Sequence, residues 1–164
     1  MSAGVVIREI DDHSFDRFWP SFQAIVRARE TYAFDPDLDR EAARTLWCKV
    51  PLRTYVASRN NAVLGSYYLK PNAAGPGGHV CNCGYMVTEA ARGSGIATLM
   101  CEHSQKIARA LGFRAMQFNA VVATNAGALR LWRRLGFAEI GRVPGGFLHP
   151  EHGFVDTFIL HKQL

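Results

Sequence analysis

No stretch of the 164 residues approaches the roughly 20 uninterrupted apolar residues that a membrane-spanning helix requires. The opening M-S-A-G-V-V-I-R-E also lacks a basic segment followed by an apolar one. A cytoplasmic protein with no membrane partner is expected. Internal repeats and low-complexity blocks are absent, and 48% hydrophobic content at this length suits one well-buried core, so a single domain over 1–164 is expected. Cysteine is scarce, with four residues at 48, 81, 83 and 101 and no C-x₂₋₄-C knuckle. Cys81 and Cys83 lie two apart on one expected strand, where side chains share a face and do not readily bond each other. Cys81-x-Cys83 and Cys101-x-His103 offer four soft ligands, but one pair falls on a strand and the other inside a helix. Core packing is therefore expected of these cysteines, and no metal. The net charge of +5 attracts anions, yet the basic residues are scattered apart from Arg130, Arg133 and Arg134. No zinc-finger, RNP or basic-zipper signature accompanies them, which argues against nucleic acid. A polyanionic cofactor would use the same field.

Two common phosphate signatures are missing as well. There is no G-x-x-x-x-G-K-[ST], and Gly93 and Gly95 begin a G-x-G-x-x-G turn whose third glycine position is Thr98. What stands there instead is Y-M-V-T-E-A-A-R-G-S-G-I-A, residues 85–97, an apolar run that meets a glycine-rich turn and passes into a helical pattern. Two glycines let the backbone approach a ligand, and the following helix offers unpaired N–H groups and the positive end of its dipole to an anion.

The periodicities predict strands at 5–10, 53–58, 62–70, 79–87, 115–122, 138–143 and 154–161. Helices are expected at about 13–29, disturbed at Pro20, then from Asp37 or Asp39 through Trp47, and at 95–111 and 126–135. Arg59-Asn60-Asn61 reads as a hairpin turn, because Asn tolerates positive φ. Residues 71–78 and 144–153, rich in Pro and Gly, read as loops. The order β-α-α-β-β-β-α-β-α-β-β is mixed α/β, with antiparallel hairpins first and a helical crossover later.

Arg92, Gly95 and Ala97 fit R-x-x-G-x-A. Thirty residues on, Asn125-Ala126-Gly127-Ala128-Leu129-Arg130-Leu131-Trp132 runs to Leu135-Gly136-Phe137. Together these resemble the acyl-CoA pyrophosphate loop and the later N-x-x-A-x-x-L-[YW]-x-x-x-G-F motif of the GCN5-related N-acetyltransferase (GNAT) family, over about residues 79–140. The resemblance implies a mostly antiparallel sheet whose fourth and fifth strands splay apart, with flanking helices. It also implies acetyl-CoA as cosubstrate, held by the backbone of Tyr85, Met86 and Val87 along its pantetheine arm. Arg92, Gly93, Ser94, Gly95, Ile96 and Ala97 would surround the pyrophosphate, with Thr98 as an added donor. Asn125 would contact the cofactor and begin the next helix, a position at which Asn also caps well. Trp132 departs from the family pattern, since many members carry there a tyrosine that protonates the leaving thiolate. Indole has no titratable proton, so packing against the cofactor arm or core is expected of it.

The resemblance implies transfer of an acetyl group from acetyl-CoA to a primary amine by direct attack. A small-molecule amine is the expected acceptor, because the early T-Y-A-F-D-P-D and late V-P-G-G-F-L-H-P-E-H-G-F-V-D segments resemble a bacterial branch that includes phosphinothricin and amino-acid acetyltransferases. Acetylation of a protein N-terminus or lysine, and a cofactor-binding sensor, are the alternatives; homodimers are common in the family. The amine must lose a proton before attack, so a base or water chain is required. Candidates are Glu30, Glu89, Asp156, His79, His149 and His152, with His149 and His152 read as surface-loop residues, while Tyr85 and Asn119 can order a water. Glu30 and Asp156 are the first and second choices to receive the ammonium group. The acceptor site would draw on Glu30, Tyr32, Phe34 and Tyr67, with the 147–154 segment nearby; Tyr32 and Phe34 serve equally as core anchors.

Overall fold

The computed structural model describes residues 4–164; the first three, part of the N-terminal stretch read above, lie outside the described residues. Strand β1 (Val6–Glu9) leads to helix α1 (Asp12–Ala28), whose start is fixed by the Asp11 carboxylate accepting the Ser14 N–H at 2.8 Å. Phe15, Phe18, Phe22 and Val26 recur at helical spacing and are buried. Helix α1 runs through Pro20 without a break, contrary to the sequence expectation. Pro20 is exposed, so water can satisfy the carbonyl that its missing N–H leaves free. Arg29 closes α1 in the left-handed conformation (φ 58°) and turns the chain back toward the sheet.

Helix α2 (Arg40–Arg44), capped by Asp39, widens into one π-helical turn over Thr45–Lys49. That turn seats Trp47, which is fully buried and donates through Nε1 to Ser66 Oγ at 2.9 Å. Strands β2 (Arg53–Arg59) and β3 (Ala62–Pro71) form the expected hairpin, with Asn60 and Asn61 at φ 49° and 64°. Then come β4 (Val80–Val87), α3 (Ile96–Ala110), β5 (Ala115–Val122), α4 (Ala126–Arg134), β6 (Ala138–His149) and β7 (Gly153–Gln163). The seven strands make one sheet in the order β1-β2-β3-β4-β5-β7-β6. Every neighbouring pair is antiparallel except β4 and β5.

The last two strands are longer than the sequence suggested. Residues 144–149 are strand and not loop, joined to β7 across an irregularity between Val143 and Phe147 that absorbs Pro144, Gly145 and Gly146. His149 is accordingly 7% exposed, where an open loop was expected. Its Nδ1 accepts the backbone N–H groups of Glu151 and His152, so it closes the β6–β7 turn.

Each face of the sheet carries its own core. Cys81, Cys83 and Cys101 pack with Tyr67, Met100, Met116, Phe118 and Trp132 under α3 and α4. On the other face Phe15, Phe18, Phe22 and Trp47 pack with Met86, and Tyr32 and Phe34 lie against them. Phe22 is central to this second cluster, its ring 5.5 Å from Trp47 and 6.2 Å from both Phe18 and Phe34. Phe22→Ala is expected to cost about 3–5 kcal/mol of unfolding free energy, measured by urea denaturation; a loss below about 1 kcal/mol would mean that the cluster closes over the gap.

Candidate active site between the splayed strands

Strands β4 and β5 pair only at Val80–Asn82 with Ala115–Gln117 and then part. The backbone bonds on the other edge of β4 determine which peptide groups the parting exposes. Thr88 N–H donates to the Leu64 carbonyl and Asn72 N–H to the Val80 carbonyl, so even-numbered residues turn their peptides toward β3. By alternation, Tyr85 and Val87 turn theirs into the gap. Met86 was expected beside them, but its peptide belongs to the β3 ladder opposite Ser66, and its side chain is buried in the α1-side core.

At the end of β4 the chain reaches Arg92, Gly93, Ser94 and Gly95. Gly93 and Gly95 lie at φ 73° and 81°, and a β-carbon at either would meet nothing within 4 Å, so the loop is open on its outer side. Ser94 Oγ donates to the Ala91 carbonyl at 2.5 Å and ties the loop into a compact turn. The first N–H groups of α3, from Ile96, Ala97 and Thr98, face outward along the helix axis without helical acceptors. A glycine-lined helix start therefore stands at the end of an unpaired strand edge. Asn125 caps α4, its Oδ1 accepting the Ala128 N–H at 3.3 Å. Trp132 is 7% exposed and packs 5.1 Å from Tyr85 and 5.0 Å from Phe118, between ring centroids.

On the α1 side, Tyr32 reaches the same edge: its hydroxyl donates to the Tyr85 carbonyl at 2.7 Å. Tyr32 also lines a cavity of about 200 Å³ with Arg29, Ala33, Phe34, Pro36 and Gly146–Leu148, so the early loop and the β6–β7 hairpin meet over the sheet. Glu30 is exposed next to this cavity's Arg29. A larger cavity of about 240 Å³, among Glu9, Asp12, Arg44 and Arg53, contains no residue of β4, β5 or the glycine turn. Within it Glu9 pairs with Arg53 and Asp12 with Arg44, while its Asp11 and Lys49 pair with Arg8 and Glu41 outside.

Several expected acceptor residues are elsewhere. Tyr67 has no exposed surface; its hydroxyl meets His103 Nδ1 at 2.8 Å beneath α3, and burial raises its pKa far above the usual phenol range. The Tyr85 hydroxyl is likewise turned away, toward Ser104 Oγ at 2.7 Å, so this phenol does not order a water in the gap. Asp156 is committed to the backbone N–H of Gly145 at 2.8 Å and to Arg142 Nε at 2.5 Å, which hold its pKa below the usual value of 3.8. It fastens the irregular stretch of β6 and is spent as a receiver of ammonium. Asn119 donates to Asn72 Oδ1 at 2.8 Å and accepts from Gln117 Nε2 at 3.0 Å.

Sequence reasoning missed Asn82. This side chain is 5% exposed at the last rung before the strands part; it donates to the Gln117 carbonyl at 2.9 Å and accepts the Tyr68 hydroxyl at 3.1 Å. A lone amide inside the apolar run V-C-N-C-G-Y-M-V was the available signal.

The family profile described as Acetyltransferase (GNAT) family matches residues 15–137. The chain belongs to this family. A GCN5-related N-acetyltransferase from Kribbella flavida superposes with a TM-score of 0.94 at 44% identity, over 100% of both chains. The N-acetyltransferase aca1 of Schizosaccharomyces pombe is 37% identical over 60% of this chain, and the match covers 47% of that relative, so the chain spans about half of its length. A phosphinothricin acetyltransferase from Sinorhizobium meliloti, solved in complex with AcCoA, shares the fold at 21% identity and a TM-score of 0.82, over 98% of this chain and 88% of that one. Among the described residues, no helix is long and apolar enough to cross a membrane, and no cluster of three or more His, Cys, Asp or Glu could hold a metal ion.

The Asp156 bonds give a pH signature. A carboxylate whose folded pKa is depressed contributes stability above its unfolded value, here near 3.8, and loses that contribution as pH falls through the folded value. Asp156→Asn is therefore expected to lower the thermal midpoint at pH 7 and to match the parent at strongly acid pH. Equal midpoint losses at both pH values would show that charge plays no part.

Proposed function

We propose that this protein transfers the acetyl group of acetyl-CoA to the primary amine of a small molecule by direct attack in a ternary complex. The observation that carries this reading is the unpaired edge of β4 at Tyr85 and Val87, which ends in the open glycine turn. A pantetheine arm has amides that can pair with such an edge as a strand would, and a pyrophosphate is what a glycine-lined helix N-terminus accepts. Arg92 supplies a cation there, and the backbone around Gly93, Ser94, Gly95, Ile96 and Ala97, with Thr98, supplies N–H donors. Asn125 stands at the start of α4 and Trp132 packs beside Tyr85, so both border the arm's path.

The amine lone pair attacks the thioester carbon, and the carbonyl electrons move to oxygen. A gap-facing N–H of β4, that of Tyr85 or Val87, stabilises this oxyanion. Collapse breaks the C–S bond, the electron pair leaves on the CoA thiolate, and the nitrogen gives up its extra proton to water. The Trp132 indole has no titratable proton to give up, and the thiolate is protonated by water. The cavity of about 200 Å³ sets the scale of the acceptor, lined on one side by Tyr32 and Phe34 and on the other by Phe147 and Leu148. Glu30, exposed in the chain between the cavity residues Arg29 and Tyr32, is assigned to receive the ammonium group and take its proton. A local carboxylate offsets the repulsion that a chain of net charge +5 exerts on a cationic amine.

Incubation of the protein with acetyl-CoA, a panel of small amines and a free-thiol reagent tests the reading: thiol release that depends on an amine is expected. Acetyl-CoA binding without release across a broad panel would favour a sensor. Gly95→Val would place a β-branched residue at φ 81° beside the bound phosphates and is expected to weaken acetyl-CoA binding by at least about tenfold, read by calorimetry. Unchanged affinity in a folded variant would count against the pyrophosphate placement. Glu30→Gln should reduce kcat/KM for the best amine by roughly 10²-fold if Glu30 is the base, with the acetyl-CoA KM unmoved. A loss of only a few-fold would transfer that role to water.

A further inference from the structure

We propose that the Tyr32 hydroxyl is the group that orients the acceptor nitrogen for attack, a role that rests on the acetyltransferase reading above. Among the described residues that line the cavity, Tyr32 is the one that also bonds the β4 edge. Its ring walls the acceptor cavity, and its hydroxyl lies 2.7 Å from the carbonyl of Tyr85, on the edge of β4 that faces the gap. The two ends of one rigid phenol therefore span the distance from the cavity to the strand along which the thioester would lie.

The hydrogen-bond inventory then determines what this hydroxyl can do for a ligand. A phenol has one proton and two lone pairs, and here the proton is given to the Tyr85 carbonyl. The oxygen has only acceptor capacity left, so a group arriving from the cavity must bring its own donor. An uncharged primary amine does so: one N–H is held at Tyr32 Oη while the nitrogen lone pair remains free. Tyr85 supplies both groups, its carbonyl anchoring Tyr32 and its N–H, in the preceding peptide unit, turning to the gap, so nitrogen and oxyanion donor are referenced to one residue. Burial raises the Tyr32 pKa well above the usual phenol value, so the hydroxyl keeps its proton and orients the amine without acting as its base.

The ring itself is held independently of the hydroxyl. It stacks on Phe34 at 5.1 Å and meets the Trp47 ring edge-on at 6.0 Å, both apolar contacts that a phenylalanine would keep. Tyr32→Phe therefore removes the orienting atom and leaves the cavity wall in place.

The test is steady-state kinetics of the parent and Tyr32→Phe on the best amine of the panel, with Phe34→Leu as a variant of the same wall that has no hydroxyl to lose. Tyr32→Phe is expected to lower kcat by about tenfold or more, with the acetyl-CoA KM within about twofold of the parent. The midpoint of the pH–rate profile should stay where it is, because no proton is transferred to or from Tyr32. Phe34→Leu is expected to act mainly on the amine KM. Retention of kcat within about twofold in Tyr32→Phe would overturn the proposal. So would equal losses in kcat for the two variants at matched thermal midpoints, since loop packing alone would then explain both. A parent that releases no thiol with any amine would overturn this proposal together with the transferase reading, whereas an active parent with an indifferent Tyr32→Phe overturns this proposal alone.

Discussion

The parallel ladder between β4 and β5 ends at Asn82 and Gln117, and everything proposed for the site follows from that early stop. Parallel strands inside a sheet normally satisfy one another's peptides along their whole length. Here the β4 edge from Tyr85 onward loses its neighbour, and a buried edge without partners is unfavourable unless something else supplies donors and acceptors. Tyr32 supplies one donor, and Asn82 stabilises the fork by bonding the Gln117 carbonyl from its own side chain. The remaining groups are available to a ligand that mimics a strand.

The two cores on either side of the sheet have different tasks. The α3 side buries the three thiols, Tyr67 and Met100, and offers α3 a firm seat, so the glycine turn enters the helix at a fixed position. The α1 side is predominantly aromatic, and its rings extend from Phe18 through Phe22 and Trp47 to Tyr32 and Phe34. That chain of contacts anchors a loop without regular secondary structure over the gap. A loop built on rigid aromatic contacts can hold a hydroxyl at one place without the backbone ladder of a helix or strand.

Local features were the most legible in the sequence. The Asn60-Asn61 turn, the glycine turn before α3 and the Asn125 cap each depend on neighbouring residues, and each lies where the residues indicated. Features that depend on pairing were less so. The parity of β4, which gives Tyr85 and Val87 to the gap and Met86 to β3, is determined by the register with a distant strand and has no signature in the run itself. Tyr67 looked like a site residue because it is polar and lies one strand away, but its face of the sheet is covered by α3. Asp156 was expected to receive the ammonium group, but the β6–β7 register brings it to Arg142, fourteen positions earlier in the chain. The strand content of 144–149 was hidden by Pro and Gly, which an edge strand accommodates at an irregularity.

An indole stands at position 132, where the family motif also admits a tyrosine, and it gives the molecule an optical property. Its ring lies 5.1 Å from that of Tyr85, whose backbone borders the gap, while Trp47 is buried in the opposite core and Trp19 packs half-buried against Phe15 and Phe22 of that core. Trp132 touches the Tyr85 ring and Trp47 meets the Tyr32 ring, so two of the three indoles stand one residue away from the β4 edge. Occupancy of the β4 edge is therefore expected to register in the intrinsic emission, in the same protein whose chemistry is being measured.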